Sequence, residues 1–334
     1  MRDVKKNDLY IVRNLKTVRG EEMGSVLTMG EILVEIMRPE RNISLASPGY
    51  FKGPYPSGAP AIFIDSVARL GENATIIGGI GDDEFGKNVF KRLKDDGVNC
   101  DLININKDRP TAVAFVGYDK TGGRKFIFHV KDTSAVFLKK YNNDELKHQD
   151  YFHIMGCSLM VQKDFRNKII KLTNYLYKRG TKISFDPNIR RELLLDENIN
   201  EVVDPILKNC EILFPGVDEL LFITNANTVN EALKKIFENF PVKMVVLKLG
   251  KEGCRVITEH DDIPIKAYKI VETDPTGAGD CFDAGFITAL LKGKSLEEAG
   301  KIAAAAGAIN ATEFGPMEGL VTKEKIKELS GISL

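Results

Sequence analysis

The sequence has no excess charge of either sign: 47 basic residues stand against 47 acidic ones in 334. That balance gives no footprint for nucleic acid or an anionic membrane, so neither is expected as a partner. A local basic pocket for a small anion remains compatible with it. The five cysteines (100, 157, 210, 254, 281) form no C-x-x-C pair, which excludes a zinc ribbon or a dithiol redox motif. The four histidines (129, 148, 153, 260) show no metal-binding spacing. No apolar run approaches a membrane span, and the charged first residues lack the apolar segment of a secretory signal. Scattered thiols without such a signal point to a reducing, cytoplasmic setting. No G-x-x-x-x-G-K-[ST] occurs, and GGIGDD (78–83) fails G-x-G-x-x-G because Glu84 stands at the third glycine. P-loop and dinucleotide-binding readings therefore lose support.

What is present is an alternation of short β-branched runs with helical periodicity. LTMGEILVEI (27–36), TIIGGIG (75–81), KISFDP (182–187), EILFPG (211–216) and MVVLKLG (244–250) read as strands. SGAPAIFIDSVARLG (57–71) and DDEFGKNVFKRLKDDG (82–97) read as helices, the latter with Phe85, Val89, Phe90 and Leu93 on one stripe. This order predicts an α/β fold, a mostly parallel sheet with helices on both faces. TAVAFVGY (111–118) and RKFIFHV (124–130), joined by a turn, break it as a β-hairpin. The hairpin is either an edge of the main sheet or part of a small β-sheet lid, pairing with residues soon after Glu35. We expect residues 1–25 to be an N-terminal extension and 26–334 the main domain, with lid segments near 36–56 and 111–131.

The chemistry concentrates in DPTGAGDCFDAGF (274–286), where a glycine loop enters an apolar helix. Unpaired amides at a helix start, with the macrodipole, favour an anion. Gly277 and Gly279 let the backbone close around one, so 276–279 forms a cup for a phosphoryl group. Asp280 beside it can take the proton of an attacking hydroxyl. Equally, an aspartate at a helix start is a common cap. Arg190 and Arg191 can steady phosphates or lie solvated; Asp186 and Asn188 follow a buried strand, where ligand loops or ordinary turns occur. Glu219 suits a helix start or a site. Ser295-x-x-Glu298 is a capping box. It opens a helix containing KIAAAAGAIN (301–310), whose small side chains admit another element or a flat base. Cys281 reads as a core thiol and His129 as incidental.

The ordered motifs GEILVEI (30–36), SGAPA (57–61), GIGDDEFG (79–86), DPNIR (186–190), PGVDE (215–219), KLGKEG (248–253) and DPTGAGD (274–280) resemble the PfkB (ribokinase-like) carbohydrate kinases over nearly the whole chain from about residue 27. The resemblance implies ATP as phosphoryl donor, Mg²⁺ and, near the signature loop, K⁺. It makes Asp280 the catalytic base and Gly277, Ala278 and Gly279 the anion hole. It assigns Glu35, Ser57, Gly58 and Arg190 to the sugar. Asp186, Asn188, Glu219, Lys248, Gly250, Gly253, Thr276 and Asn310 go to the nucleotide and its phosphates, with Glu219 also at the metal. Three positions depart from the family pattern: Glu35 replaces aspartate, Ile62 replaces the asparagine of the sugar turn, and Gly216 replaces that of P-N-x-x-E. The PSGAPAIF turn most resembles kinases of ketohexoses, such as fructose or tagatose, or of sugar acids. The alternatives are 2-keto-3-deoxygluconate, ribose or a nucleoside, or a non-catalytic sugar-binding relative. Relatives often dimerise through the lid sheet, so a homodimer is expected.

Overall fold

The computed structural model describes residues 23–143, 146–194 and 197–334. Most of the expected extension, 1–22, lies outside the described residues. The strands are β1 (Ser25–Met29), β2 (Leu33–Arg41), β3 (Lys52–Ser57), β4 (Asn73–Gly81), β5 (Ile103–Asn106), β6 (Ala112–Tyr118), β7 (Arg124–His129), β8 (Tyr151–Met155), β9 (Lys182–Asp186), β10 (Cys210–Leu213), β11 (Met244–Lys248), β12 (Cys254–Thr258) and β13 (Asp262–Ile265).

The large sheet runs β13-β12-β11-β10-β9-β8-β1-β4-β5. From β5 to β11 every pairing is parallel; β12 and β13 add antiparallel. Side chains alternate across the sheet. Val26 joins one hydrophobic cluster with the helices Ala59–Arg69, Ala278–Leu291 and Leu296–Asn310. Leu27 and Met29 join a second with Lys163–Lys178, Ile199–Leu207 and Val229–Asn239. Both faces are thus covered, as parallel strands require.

The expected strand over 27–36 is two strands in two different sheets. β1 ends at Met29, and the chain leaves the large sheet through Gly30–Ile32 to start β2. A Cβ at Gly30 would collide with Pro60 and Ser158, so the crossing passes where no side chain fits. Burial is continuous through the crossing, and in the sequence only Gly30 and Glu31 mark it. β2 then forms a separate small sheet in the order β3-β2-β6-β7. β6 pairs in parallel with β2 from Leu33–Ala112 to Met37–Val116, and β7 closes the antiparallel hairpin. The hairpin is therefore not an edge of the large sheet. It belongs to a second layer that roofs the carboxyl ends of β1, β8 and β9, the end at which open α/β sheets carry ligands.

Candidate active site

The loop after β13 reaches the helix Ala278–Leu291 through Gly277, whose φ of 79° is left-handed. A Cβ at Gly277 would strike the Pro316 carbonyl, so glycine is required on both counts. Asp274 ties the loop down from a fully buried position. Its Oδ1 accepts from Thr276 N at 3.1 Å and Thr276 Oγ1 at 2.8 Å, its Oδ2 from Gly315 N at 3.0 Å. Asn310 is buried behind the loop, its Nδ2 donating to the Thr276 carbonyl at 2.8 Å. The cup differs in detail from the expected 276–279 set. Thr276 N is committed to Asp274, and Ala278 N donates to the Pro275 carbonyl at 3.2 Å. The amides of Gly277, Gly279 and Asp280 make no hydrogen bond among the described residues and are the ones free to meet an anion.

Asp280 does not cap its helix. The N-cap is Gly277, without a side-chain bond, and the Asp280 carboxylate accepts instead from Asn188 Nδ2 at 3.1 Å. Burial raises its pKa to about 7 and Asp186 adds to the rise, against Arg190, Lys248 and Arg124. Asn188 is held at φ 37°, tolerable for asparagine, with its amide on Asp186 Oδ1. Asp186 Oδ2 accepts from Lys248 Nζ at 2.7 Å, and Asp283 lies 3.4 Å from the same Nζ. Burial opposes the charge on Lys248, but the two aspartates outweigh it and hold the amine protonated. His153, stacked on Phe63 at 3.9 Å between ring centroids, packs behind this group, and burial depresses its pKa to about 3.

Two cavities meet at the helix start. One is enclosed. Glu31, Gly58, Ile62 and Cys157 line it, together with Glu35, Arg124, Phe126 and Phe128 from the small sheet and with Arg190, Thr276, Gly277 and Asp280. Glu35 Oε1 accepts from Ser57 Oγ at 2.7 Å, while Oε2 is buried without a partner. Burial lifts the Glu35 pKa to about 7. Ser57 itself is buried and stands behind Glu35 rather than among the lining residues. The second cavity is an open cleft lined by Lys248, Gly250, Lys251, Gly253, Lys266, Tyr268, Ala278, Gly279, Ala304, Gly307 and Ala308. Asp186, Asn188 and Asn310 line neither cavity; all three lie behind the walls.

Glu219 sits at a third opening, shared with Lys248 and Gly216. Its Oε1 accepts from Ile189 N at 2.8 Å and its Oε2 from the amide of the N-cap residue, Gly216, at 2.8 Å. Both oxygens keep a further lone pair. Among the described residues no cluster of three or more acidic, His or Cys side chains forms a metal cage. One carboxylate at an open site beside Lys248 fits Mg²⁺ as nucleotide enzymes hold it, through a few waters and substrate phosphates.

Of the remaining expectations, Arg191 stacks on Phe222, 5.1 Å from the ring centroid. Cys281 is buried and free. The Ser295–Glu298 capping box is formed. Glu31, Phe126, Phe128 and Cys157 were not singled out from sequence. Glu31 is buried at the β1–β2 crossing, accepting from Cys157 Sγ at 3.0 Å and from Ser158 Oγ. A carboxylate inside an otherwise apolar strand pattern was the available signal. For the aromatics it was hairpin alternation, which puts Arg124, Phe126 and Phe128 on one face.

A cavity with charged side chains in its lining and a wider cleft meet at a helix start with free amides, an arrangement suited to group transfer between two ligands. Residues 25–323 match the model of the pfkB family carbohydrate kinases, and the chain belongs to that family. It is 30% identical over 315 residues to the probable fructokinase-5 of Arabidopsis thaliana, covering 91% of this chain and 96% of that one. A putative ribokinase II from E. coli, crystallised with ATP and Mg²⁺, superposes with a TM-score of 0.85 at 36% identity, covering 92% of this chain and 99% of that one. A fructokinase double mutant from Vibrio cholerae, in a form with fructose, ADP and potassium bound, shares the fold at TM-score 0.80 and 22% identity, over 93% of this chain and all of that one. The protein is a carbohydrate kinase. No described helix is long and apolar enough to cross a membrane.

Proposed function

We propose that the protein transfers the γ-phosphoryl group of ATP to a hydroxyl of a ketohexose, fructose or tagatose. The observation that carries this reading is the position of the unpaired Gly277, Gly279 and Asp280 amides between the enclosed cavity and the open cleft. The cleft takes the nucleotide, its base against the small side chains of Ala304, Gly307 and Ala308. Gly250 and Gly253 shape the phosphate side. The enclosed cavity takes the sugar, with Glu35 and the Gly58 turn on its hydroxyls. Ile62 presents an apolar wall to one side of the ring.

Asp280, held by Asn188, takes the acceptor proton as the oxygen attacks phosphorus in line. Its elevated pKa makes it a stronger base than a solvated aspartate. The free amides receive the charge that grows on the transferred group. Arg190, which lines the same cavity, steadies it. Lys248 reaches the phosphate side from its anchorage on Asp186 and Asp283. Mg²⁺ would be held by Glu219 together with the nucleotide phosphates and would neutralise their charge. K⁺ near the signature loop and a homodimer through the outer face of the small sheet, where Ile127 is 45% exposed, belong to the same reading.

The test is product identification after incubating the protein with ATP, Mg²⁺ and a mixture of fructose, tagatose, 2-keto-3-deoxygluconate, ribose and adenosine. A hexose phosphate from fructose or tagatose is the expected product. Exclusive labelling of the sugar acid, ribose or adenosine would overturn the ketohexose reading. Sugar binding without turnover would make the chain a sensor.

A further inference from the structure

The lining of the enclosed cavity changes from charged to aliphatic, and three separate elements show the change. β7 contributes Arg124, Phe126 and Phe128, and Val130 follows just past the strand. Arg124 pairs across the hairpin with Tyr118, whose hydroxyl donates to Asp274 Oδ1 at 2.9 Å. This end of the hairpin therefore stands at the signature loop. Val130 lies six residues on, roughly 20 Å along an extended chain. The register puts Leu33 in the row of Val130, since Leu33 pairs with Ala112 and Val113 with His129. The small sheet thus turns aliphatic as it runs away from the cup.

The other two elements repeat it. Arg190 rests on Phe126, 5.5 Å from the ring centroid, in the field of Asp280. Leu193 follows three residues later, on the short helix Arg191–Leu194 that packs against β7. Cys157 and Val161 stand about one turn apart on the helix Gly156–Val161. Cys157 Sγ donates to Glu31 Oε1 at 3.0 Å and lies in the field of Arg190 and Asp280. Leu33, Val130 and Val161 are buried in one hydrophobic cluster, with Phe128 and Leu193 packed against it, whereas Cys157 belongs to the other. The cavity's acids are tied at other points. Glu35 shares a row with Phe128 but is held by Ser57 on β3, across the sheet from β7. Glu31 is held by Cys157 and Ser158.

A hydroxyl seated among these aliphatic side chains gives up its hydrogen bonds to water and finds none in return, whereas a methyl group there gains by burial. We propose that the enclosed cavity selects ketoses whose terminal carbon remote from the phosphorylated hydroxyl is deoxygenated, its methyl group seated among Val130, Val161 and Leu193. The inference rests on the ketohexose kinase reading above and names the form of acceptor that the same site prefers. Hydroxyls nearer the cup meet Glu35, Arg190 and Asp280. Val130, Val161 and Leu193 are then specificity-determining residues with no part in the transfer itself. A hydroxymethyl end still enters, because an apolar pocket rejects an added hydroxyl only in part.

The test pairs sugars that differ at one terminal carbon. With ATP and Mg²⁺, fructose is compared with 1-deoxyfructose and 6-deoxyfructose, and tagatose with its own two deoxy forms. The deoxy sugar that keeps the accepting hydroxyl should show kcat/KM about 10- to 100-fold above its parent. A parent that matches or exceeds both of its deoxy forms would overturn the proposal and leave the kinase reading standing. Val130→Thr and Val161→Thr keep the volume and bring a hydroxyl into the pocket. Each should lower the deoxy-to-parent ratio of kcat/KM by at least about threefold. The ratio is taken within one preparation, so a reduced active fraction does not move it, and the wild-type ranking decides alone if neither variant folds. A ratio unchanged in both variants would overturn the assignment of these residues. If no sugar is phosphorylated, the kinase reading fails by itself. Calorimetric titration of the same sugars then decides: tighter binding of a deoxy form supports the aliphatic seat, and equal or weaker binding overturns it.

Discussion

The enclosed cavity and the open cleft meet at one helix start and are built in opposite ways. The cavity draws its walls from the β1–β2 crossing, the Gly58 turn, the small sheet and the loop after β9, and it concentrates charged side chains. Glu31, Glu35 and Asp280 face Arg124 and Arg190 there. The cleft sets glycines and alanines beside Tyr268 and Phe282, with lysines and the exposed Glu252 and Glu272 also in its lining. A polyhydroxylated sugar needs directional partners at each oxygen, and buried charged groups supply them at a cost in desolvation. A flat base needs a slot, and alanine and glycine supply it by leaving space. Selectivity on one side is therefore a matter of chemistry, and on the other a matter of shape.

That contrast breaks first if Asp280 proves to be a structural residue. Asp280→Asn keeps volume and can still meet Asn188, so ATP and sugar affinities should stay within a few-fold. Loss of the base should lower kcat by at least about 10². Steady-state kinetics with separate titrations of both ligands checks this. Near-normal turnover would reduce the charged cavity to a packing feature.

The cleft gives the complementary result. Ala308 lines it from the helix Leu296–Asn310, and Ala308→Phe should fill the slot without touching the cavity. We expect the KM for ATP to rise about tenfold, the equivalent of roughly 1.4 kcal/mol, with sugar KM and kcat within about twofold. An equal rise in sugar KM would show that the two sites are not separately built.

The same contrast explains what was legible in the sequence. Backbone-defined features carry a local signature: Gly277 and Gly279 before an apolar helix announce the cup, and Ser295 with Glu298 announces the helix that walls the cleft. The order of strands and helices followed from periodicity, because β9, β10 and β11 are short and bounded by turn residues. The cavity was less visible because it is assembled from distant segments. Glu31 and Cys157 meet across 126 positions, and Asn188 reaches Asp280 across 92. Nothing local in DPNIR distinguishes an asparagine that faces a ligand from one that orients a carboxylate. The break at Gly30 was hidden for a different reason. The strands it joins are apolar on both sides, so Gly30 and Glu31 read as a local irregularity of one strand, and only tertiary crowding at Pro60 and Ser158 shows why the chain leaves the sheet there.

The smallest effect concerns stability and separates the two sites by pH. Glu35 and Asp280 have folded-state pKa values near 7, raised by burial above 4.5 and 3.8. Protonated, they suit the closed cavity; ionised and without ligand, they strain it. A raised folded-state pKa means that their contribution to stability is complete below about pH 4 and is lost as pH rises through 7. Catalysis has the opposite sign, since Asp280 must be ionised to accept a proton, so kcat/KM should climb to a plateau above about pH 7. Glu35→Gln removes one titrating group and leaves the volume. In ligand-free protein the melting temperature of the variant should therefore gain on the wild type by about 2–4 °C between pH 5 and pH 8. Ala308→Phe should show no such pH-dependent gap, because the cleft holds no buried acid. A Glu35→Gln gap that stays constant across that range would mean that Glu35 is ionised throughout, and the charge cost assigned to the enclosed cavity would have to be sought elsewhere.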